Sequence, residues 1–122
     1  MSSDYLNYLR ELMAGFGTVT VRRMFGGHGL YRDEVFFALV DEDVLYLKAD
    51  DASRARFEAA GCAPFGFLKQ GQRVETSYWS APESALDSAE DLRPWLDLAY
   101  EAALRKREAG PKKKLRSARK PK

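Results

Sequence analysis

The segment from Val19 to Lys48 restricts the fold more than any other part of the chain. Its apolar residues fall in short runs of extended pattern, bounded by glycines and acidic residues where the backbone can reverse. TVTVRRM, Thr18 to Met24, is β-branched and alternating at first; Gly26-Gly27 interrupts it, and the extended pattern resumes from His28 to Arg32. VFFALVD, Val35 to Asp41, is apolar on both faces, as expected of a central strand. Asp41-Glu42-Asp43 then turns it into VLYLK, Val44 to Lys48. The segment reads as an antiparallel meander, and a meander of this kind needs other elements packed on it to be stable in water.

The cover comes from three helical patterns. Tyr5, Leu6, Leu9, Leu12 and Met13 form one stripe, with Ser3 or Asp4 as cap and Gly15 just past the end. Asp50 or Asp51 caps a second helix, in which Ala52, Ala55 and Ala59 share a face with help from Phe57 and Gly61 ends the run. Leu92, Trp95, Leu96, Ala99 and Ala103 make the stripe of a third. Two starts fit it: a cap at Ser88 leaves Pro94 inside the helix, whereas a cap at Asp91 puts Pro94 in the first turn, where no donor is lost. CAPFGFLKQG, Cys62 to Gly71, is punctuated by Pro64 and Gly66 and reads as an irregular connection whose aromatics plug the core. RVETSYW, Arg73 to Trp79, alternates as a last strand. The expected fold is α+β: an antiparallel sheet of four to five strands with helices on one face, in the order helix, strands, helix, strand, helix.

With 122 residues of which 45% are hydrophobic, the chain supports one compact domain and not two. No stretch approaches the roughly 18 apolar residues of a membrane span. The opening MSSDYLNYLREL is amphipathic and acidic where a secretory signal is basic and then greasy. A cytoplasmic protein without membrane contact is expected. The single cysteine, Cys62, has no partner for a disulfide and no companion for a metal site, which fits a reducing compartment.

The net charge of +2 conceals an asymmetry. From Arg105 onward ten basic residues (Arg105, Lys106, Arg107, Lys112, Lys113, Lys114, Arg116, Arg119, Lys120 and Lys122) face only Glu108, a balance of +9 that leaves −7 for the rest. Those ten are the candidate nucleic-acid contacts, offering phosphate affinity with steep salt dependence and little base discrimination. After Gly110-Pro111 the apolar period stops. The expected division is therefore a folded domain over 1–108 and a basic, mobile tail over 109–122, which buries too little to offset its ordering entropy.

The run RRMFGGHG invites a phosphate-cradle reading, since a glycine turn beside Arg22 and Arg23 can form an anion nest. The companions of a cradle are absent: there is no GxGxxG or GxxxxGK[ST], and a strand, not a helix N-terminus, follows the glycines. The hairpin reading is preferred, with Gly26-Gly27 supplying positive φ and Met24 and Phe25 packing inward. His28 reads as a turn histidine hydrogen-bonded locally, and Cys62 as a buried, inert thiol. Core packing accounts for most of Tyr46, Tyr78, Trp79 and Trp95, although Tyr78 and Trp79 point to opposite faces of a strand and one ring can remain available to a partner. Neither a catalytic constellation nor a cofactor motif emerges.

The fragments VRRMFGGHGLY, FFALVDEDVLYLK, FEAAGCAPF, SYWSAPE and LRPWLDLAYEAA, in that order, resemble the N-terminal domain of the TfoX/Sxy family, the bacterial regulators of competence genes. Together they cover nearly all of residues 5–104. The resemblance implies a small α+β domain with a secretion-chaperone-like layout and membership in a non-enzymatic regulatory family with no catalytic residues to carry over. It also implies that full-length members add a C-terminal helical domain and act with the cyclic-AMP receptor protein at competence promoters, whereas this chain passes into a basic tail. Two uses stay open. In one, a regulatory accessory contacts DNA or a DNA-bound activator such as the cyclic-AMP receptor protein, the tail supplying phosphate affinity. In the other, a protein- or small-ligand-binding module works through a sheet surface around Arg22, Arg23, Tyr46, Tyr78 and Trp79, with a homodimer among its expected partners.

Overall fold

The computed structural model describes residues 3–24 and 27–117. Helix α1 (Ser3–Leu12) leads through a 3-10 turn (Ala14–Phe16) into strands β1 (Val19–Met24), β2 (Gly27–Arg32), β3 (Val35–Asp41) and β4 (Val44–Lys48). Helix α2 (Arg54–Ala59) and strands β5 (Pro64–Lys69) and β6 (Gln72–Ser80) follow, then a 3-10 segment (Glu83–Asp87) and helix α3 (Ala89–Ser117). The strands form one six-stranded antiparallel sheet in the order β1-β2-β3-β4-β6-β5.

The meander forms as its pattern requires, and its turns explain the tight pairing. Asp33 and Glu34 (φ 52° and 67°) and Glu42 and Asp43 (φ 49° and 60°) close two-residue hairpins with both residues left-handed. This handedness matches the twist of the flanking strands. Gln70 and Gly71 (φ 54° and 80°) do the same between β5 and β6.

The α+β class holds, but the sheet has one strand more than expected. Cys62 to Gly71 is not an irregular plug: Pro64–Lys69 pairs with β6 as an edge strand. Pro64 and Gly66 are tolerated because an edge strand can spare a donor and because the register shifts between them. The Arg73 guanidinium lies over Gly66, where a Cβ would stand 2.5 Å from its central carbon and displace that exposed side chain.

Gly27 has a role other than the turn expected of it. It opens β2 without a left-handed φ, and an added Cβ would stand 2.3 Å from the carbonyl oxygen of Val40. Close approach of β2 to β3 fixes this residue as glycine; Phe25 and Gly26 lie outside the described residues. Gly61 does end α2 with a left-handed φ of 81°. The carboxylate of Asp50 accepts from the backbone N–H groups of Ala52 and Ser53 just before that helix. Ser88 caps α3, its hydroxyl accepting from the Asp91 N–H at 3.1 Å. Pro94 therefore sits in the second turn, and the donor it lacks leaves the carbonyl of exposed Glu90 to water. The division expected after residue 108 falls within the span of α3. Side chains from Glu108 onward and residues 118–122 lie outside the described residues.

All three helices pack on one face. Leu9, Met13 and Phe16 from the N-terminal segment and Leu92, Leu96, Ala99 and Ala103 from α3 close over Leu30, Phe37, Ala38, Val40, Leu45 and Leu47. Each leucine, valine, methionine and phenylalanine among them contributes on the order of 1.5–3 kcal/mol by leaving water. Phe57 of α2 fills the remaining corner between Trp79 and Trp95, ring centroids 6.4 and 5.1 Å away. Among the described residues no helix is long and apolar enough to cross a membrane.

Candidate functional site

The register assigns every strand residue to one of two faces, because directly opposed residues in an antiparallel pair point the same way. Leu30 opposes Ala38, which opposes Leu47, which opposes Trp79, and this row lies beneath the helices. The alternate row, Tyr31 opposite Phe36, Leu39 opposite Tyr46, and Tyr46 opposite Ser80, lies on the face that no described helix covers. A sheet face left open is usually polar. This one carries rings.

Two aromatic groups cross it. Tyr31 stacks on Phe36 at 5.1 Å and 27°, and Phe36 meets Tyr78 at 5.2 Å. Nearer the β5 edge, Tyr46 meets Phe65 at 4.9 Å, and Phe65 meets Phe67 at 6.4 Å. Phe67 and Val74, opposed across β5 and β6, are 44% and 38% exposed, so the edge group reaches solvent. The first group is bracketed by cations: the Arg22 guanidinium lies 4.5 Å over the Tyr31 ring and the Lys48 ammonium 5.0 Å over the Tyr78 ring. Arg22 also reaches the Glu34 carboxylate at 3.2 Å. Gly29 lets Met24 lie across the sheet here, since a Cβ would stand 2.8 Å from the Met24 methyl.

Burial among these rings raises the pKa of the Tyr78 hydroxyl well above the ordinary tyrosine value. Burial also raises that of Tyr46, with help from the neighbouring Asp41 and Glu42 carboxylates. Both phenols stay neutral donors at physiological pH. At the α3 margin the open face deepens into a cavity of about 490 Å³, where Lys48 meets Lys106 and Arg107.

The residues singled out in the sequence are divided by this geometry. Arg22, Tyr46 and Tyr78 share the open face, whereas Arg23 opposes His28 on the other side and Trp79 packs against the core. Core packing, expected for most of the rings, holds for Trp79 and Trp95; Tyr46 and Tyr78 belong to the open face. Met24, expected to pack inward, lies over Gly29 on that face as well. His28 is in strand β2 and not in a turn, and its Nδ1 is buried with no hydrogen-bond partner among the described residues. Cys62 is half-buried, and burial raises its thiol pKa. Arg105 is held by Asp50 at 2.6 and 3.1 Å, while Lys106 and Arg107 are exposed. The side chains of Lys112, Lys113, Lys114 and Arg116, and the whole of Arg119, Lys120 and Lys122, lie outside the described residues. The sequence reading missed Tyr31, Phe36, Phe65, Phe67 and Lys48. Alternation held the signal for two of them: Phe36 and Phe37 must face opposite ways, and Lys48 must follow Tyr46.

Among the described residues no cluster of three His, Cys, Asp or Glu side chains is placed to hold a metal ion. What the open face offers is contact: flat apolar area, neutral phenol donors and flanking cations.

A family model described as the TfoX N-terminal domain matches residues 11–103. The chain is 30% identical over 83 residues to the DNA transformation protein TfoX1 of Aliivibrio fischeri, an alignment that takes in 68% of this chain and 38% of that protein. It is 31% identical over 75 residues to the protein Sxy of Escherichia coli, covering 62% of this chain and 36% of that one. The chain thus spans little more than a third of the length of these curated relatives.

Proposed function

Because the chain belongs to the TfoX N-terminal domain family, we propose that it is a non-enzymatic regulatory domain that docks a DNA-bound transcription activator on its open sheet face. The activator that the family resemblance implies is the cyclic-AMP receptor protein. The observation that carries this reading is the exposed aromatic surface on a sheet whose other face already holds the core. Exposed contiguous apolar area on a small domain marks an interaction site, and aromatic anchors dominate the energy of such sites. The basic residues from Lys106 onward add phosphate affinity without base discrimination, so that domain and promoter are bridged by two weak contacts acting together.

The edge aromatics provide the test. A Tyr46→Ser, Phe67→Ser double variant should keep the far-ultraviolet circular dichroism of the wild type, because neither ring enters the core. Its affinity for the activator on a promoter fragment, measured by gel shift, should fall at least tenfold, about 1.4 kcal/mol, as expected for aromatic anchors. Deleting residues 109–122 should weaken the same complex mainly at low salt. Unchanged affinity of the double variant would remove the open face from the account. Self-association uses the same face in a competing way, and a sedimentation coefficient that rises with concentration would identify it.

A further inference from the structure

Lys48 is anomalous for its position. It is only 6% exposed, one of two buried polar or charged residues among those described, and no carboxylate among the described residues lies within ion-pair distance of it. Its ammonium donates to the Ser77 hydroxyl and lies over the Tyr78 ring. The nearby acid, Asp50, is already engaged by the Arg105 guanidinium at 2.6 and 3.1 Å and by Ser53. Buried charges are normally paired, and this one faces a like charge: Lys106 of α3 acts together with burial to lower the Lys48 pKa, against a smaller opposing effect of Asp50. Arg107 borders the same space, so three cations line it.

The three cations surround space. Lys48, Lys106 and Arg107 line the cavity of about 490 Å³, together with the Ser77 hydroxyl and the rings of Phe36 and Tyr78. That volume falls in the range of small-molecule sites, roughly 300–1,000 Å³. The one acid at its rim among the described residues, Glu34, is paired with Arg22 at 3.2 Å. Since the Ser77 oxygen accepts from Lys48, its own proton is free to be donated.

We propose that this cavity binds a phosphate group carried on a planar ring system, the chemistry of a nucleotide. The phosphate lies between Lys48, Lys106 and Arg107 and accepts from the Ser77 hydroxyl, while the base rests against Phe36 and Tyr78. Arginine and lysine around phosphate, with an aromatic surface beside them, supply both halves of that recognition. The same chemistry has two sources, a free mononucleotide or the terminal nucleotide of a single strand. The site goes beyond the docking role proposed above and does not rest on it, because it uses none of the edge rings tested there.

The experiment titrates the full chain, by calorimetry and thermal shift, with AMP, inorganic phosphate and a short 5′-phosphorylated single strand. AMP should bind and raise the melting temperature, and inorganic phosphate should bind about tenfold more weakly for want of the ring contact. Strand binding without AMP binding assigns the source to nucleic acid and upholds the site where Lys48→Met removes it; strand binding that survives Lys48→Met belongs to the basic residues from Lys112 onward and overturns the proposal. Lys48→Met and Lys106→Met should each weaken the phosphate ligand at least tenfold. Phe36→Ser should weaken AMP and leave inorganic phosphate unchanged. Lys106 is exposed, so its variant keeps the test valid even if replacement of Lys48 perturbs the fold. Absence of binding by all three probes, binding by Lys106→Met equal to wild type, or inorganic phosphate matching AMP would each overturn the proposal.

Discussion

Phe36 and Phe37 are neighbours in sequence and live on opposite faces of one sheet. Phe37 is fully buried beneath the helices, with Phe16 at 5.4 Å and Tyr100 at 6.3 Å, whereas Phe36 lies half-buried between Tyr31 and Tyr78 on the open side. The covered face is built from aliphatic and aromatic side chains that exclude water on every side. The open face is built from rings that are shielded by one another and by the side chains of Arg22, Met24 and Lys48. Area on the first face is spent on folding, and area on the second is still available for binding.

The difference can be broken or sharpened by substitution. Phe37→Ala should cost about 3–5 kcal/mol, since it empties a packed site that the helices cannot collapse into. Phe36→Ala should cost about 1–2 kcal/mol, the loss of partial burial and of two ring contacts. Urea denaturation of the pair measures the contrast. Equal costs would mean that the open face is a second core and not a surface.

A smaller effect separates two glycines of β2. A Cβ at Gly27 would meet the Val40 carbonyl oxygen at 2.3 Å, which is backbone and can yield only by opening the β2–β3 pairing. A Cβ at Gly29 would meet the Met24 methyl at 2.8 Å and a Phe36 ring carbon at 3.0 Å, both ends of side chains lying on the open face. Gly27→Ala should therefore cost about 2–3 kcal/mol, in the range of overpacking, and Gly29→Ala less than about 1 kcal/mol. Thermal unfolding of the two variants decides it. A cost at Gly29 as large as that at Gly27 would show that Met24 and Phe36 are as firmly held as the core.

The legibility of the molecule follows the same line between faces. The meander was readable because VFFALVD and VLYLK are apolar runs, largely buried, separated by an acidic turn. Strand β5 was not, because an edge strand tolerates the Pro64 and Gly66 that elsewhere break strands. The open face escaped because a ring on a strand looks alike in sequence whether helices cover it or not. Only the topology, with every helix on one side, decides that Tyr46 and Tyr78 are uncovered while Trp79 is core. Lys48 escaped for a related reason: the nearby Asp50 is committed to Arg105, a contact across 55 positions of the chain.

That contact gives the smallest effect and a pH signature. The Arg105 guanidinium, bonded to Asp50, holds the carboxyl below the usual carboxylate range, with the Ser53 bonds adding to it and burial opposing it. A carboxylate whose folded pKa is depressed contributes stability that is present above its unfolded pKa of about 3.9 and is lost as pH falls through the lower, folded value. Arg105 is about half exposed, so the pair contributes no more than about 1 kcal/mol after solvent screening. Arg105→Gln should therefore destabilise the domain modestly at neutral pH, and the gap from wild type should close as pH drops below the ordinary carboxylate range. Urea midpoints of both proteins across that window check it. The same variant probes the open face from its margin. Releasing Asp50 gives Lys48 a neighbouring carboxylate without a guanidinium partner, and a phosphate ligand should then bind more weakly, although Arg105 does not line the cavity. If the gap in midpoint persists undiminished at low pH, Arg105 stabilises α3 by packing alone, and the isolation of the Lys48 charge needs another cause.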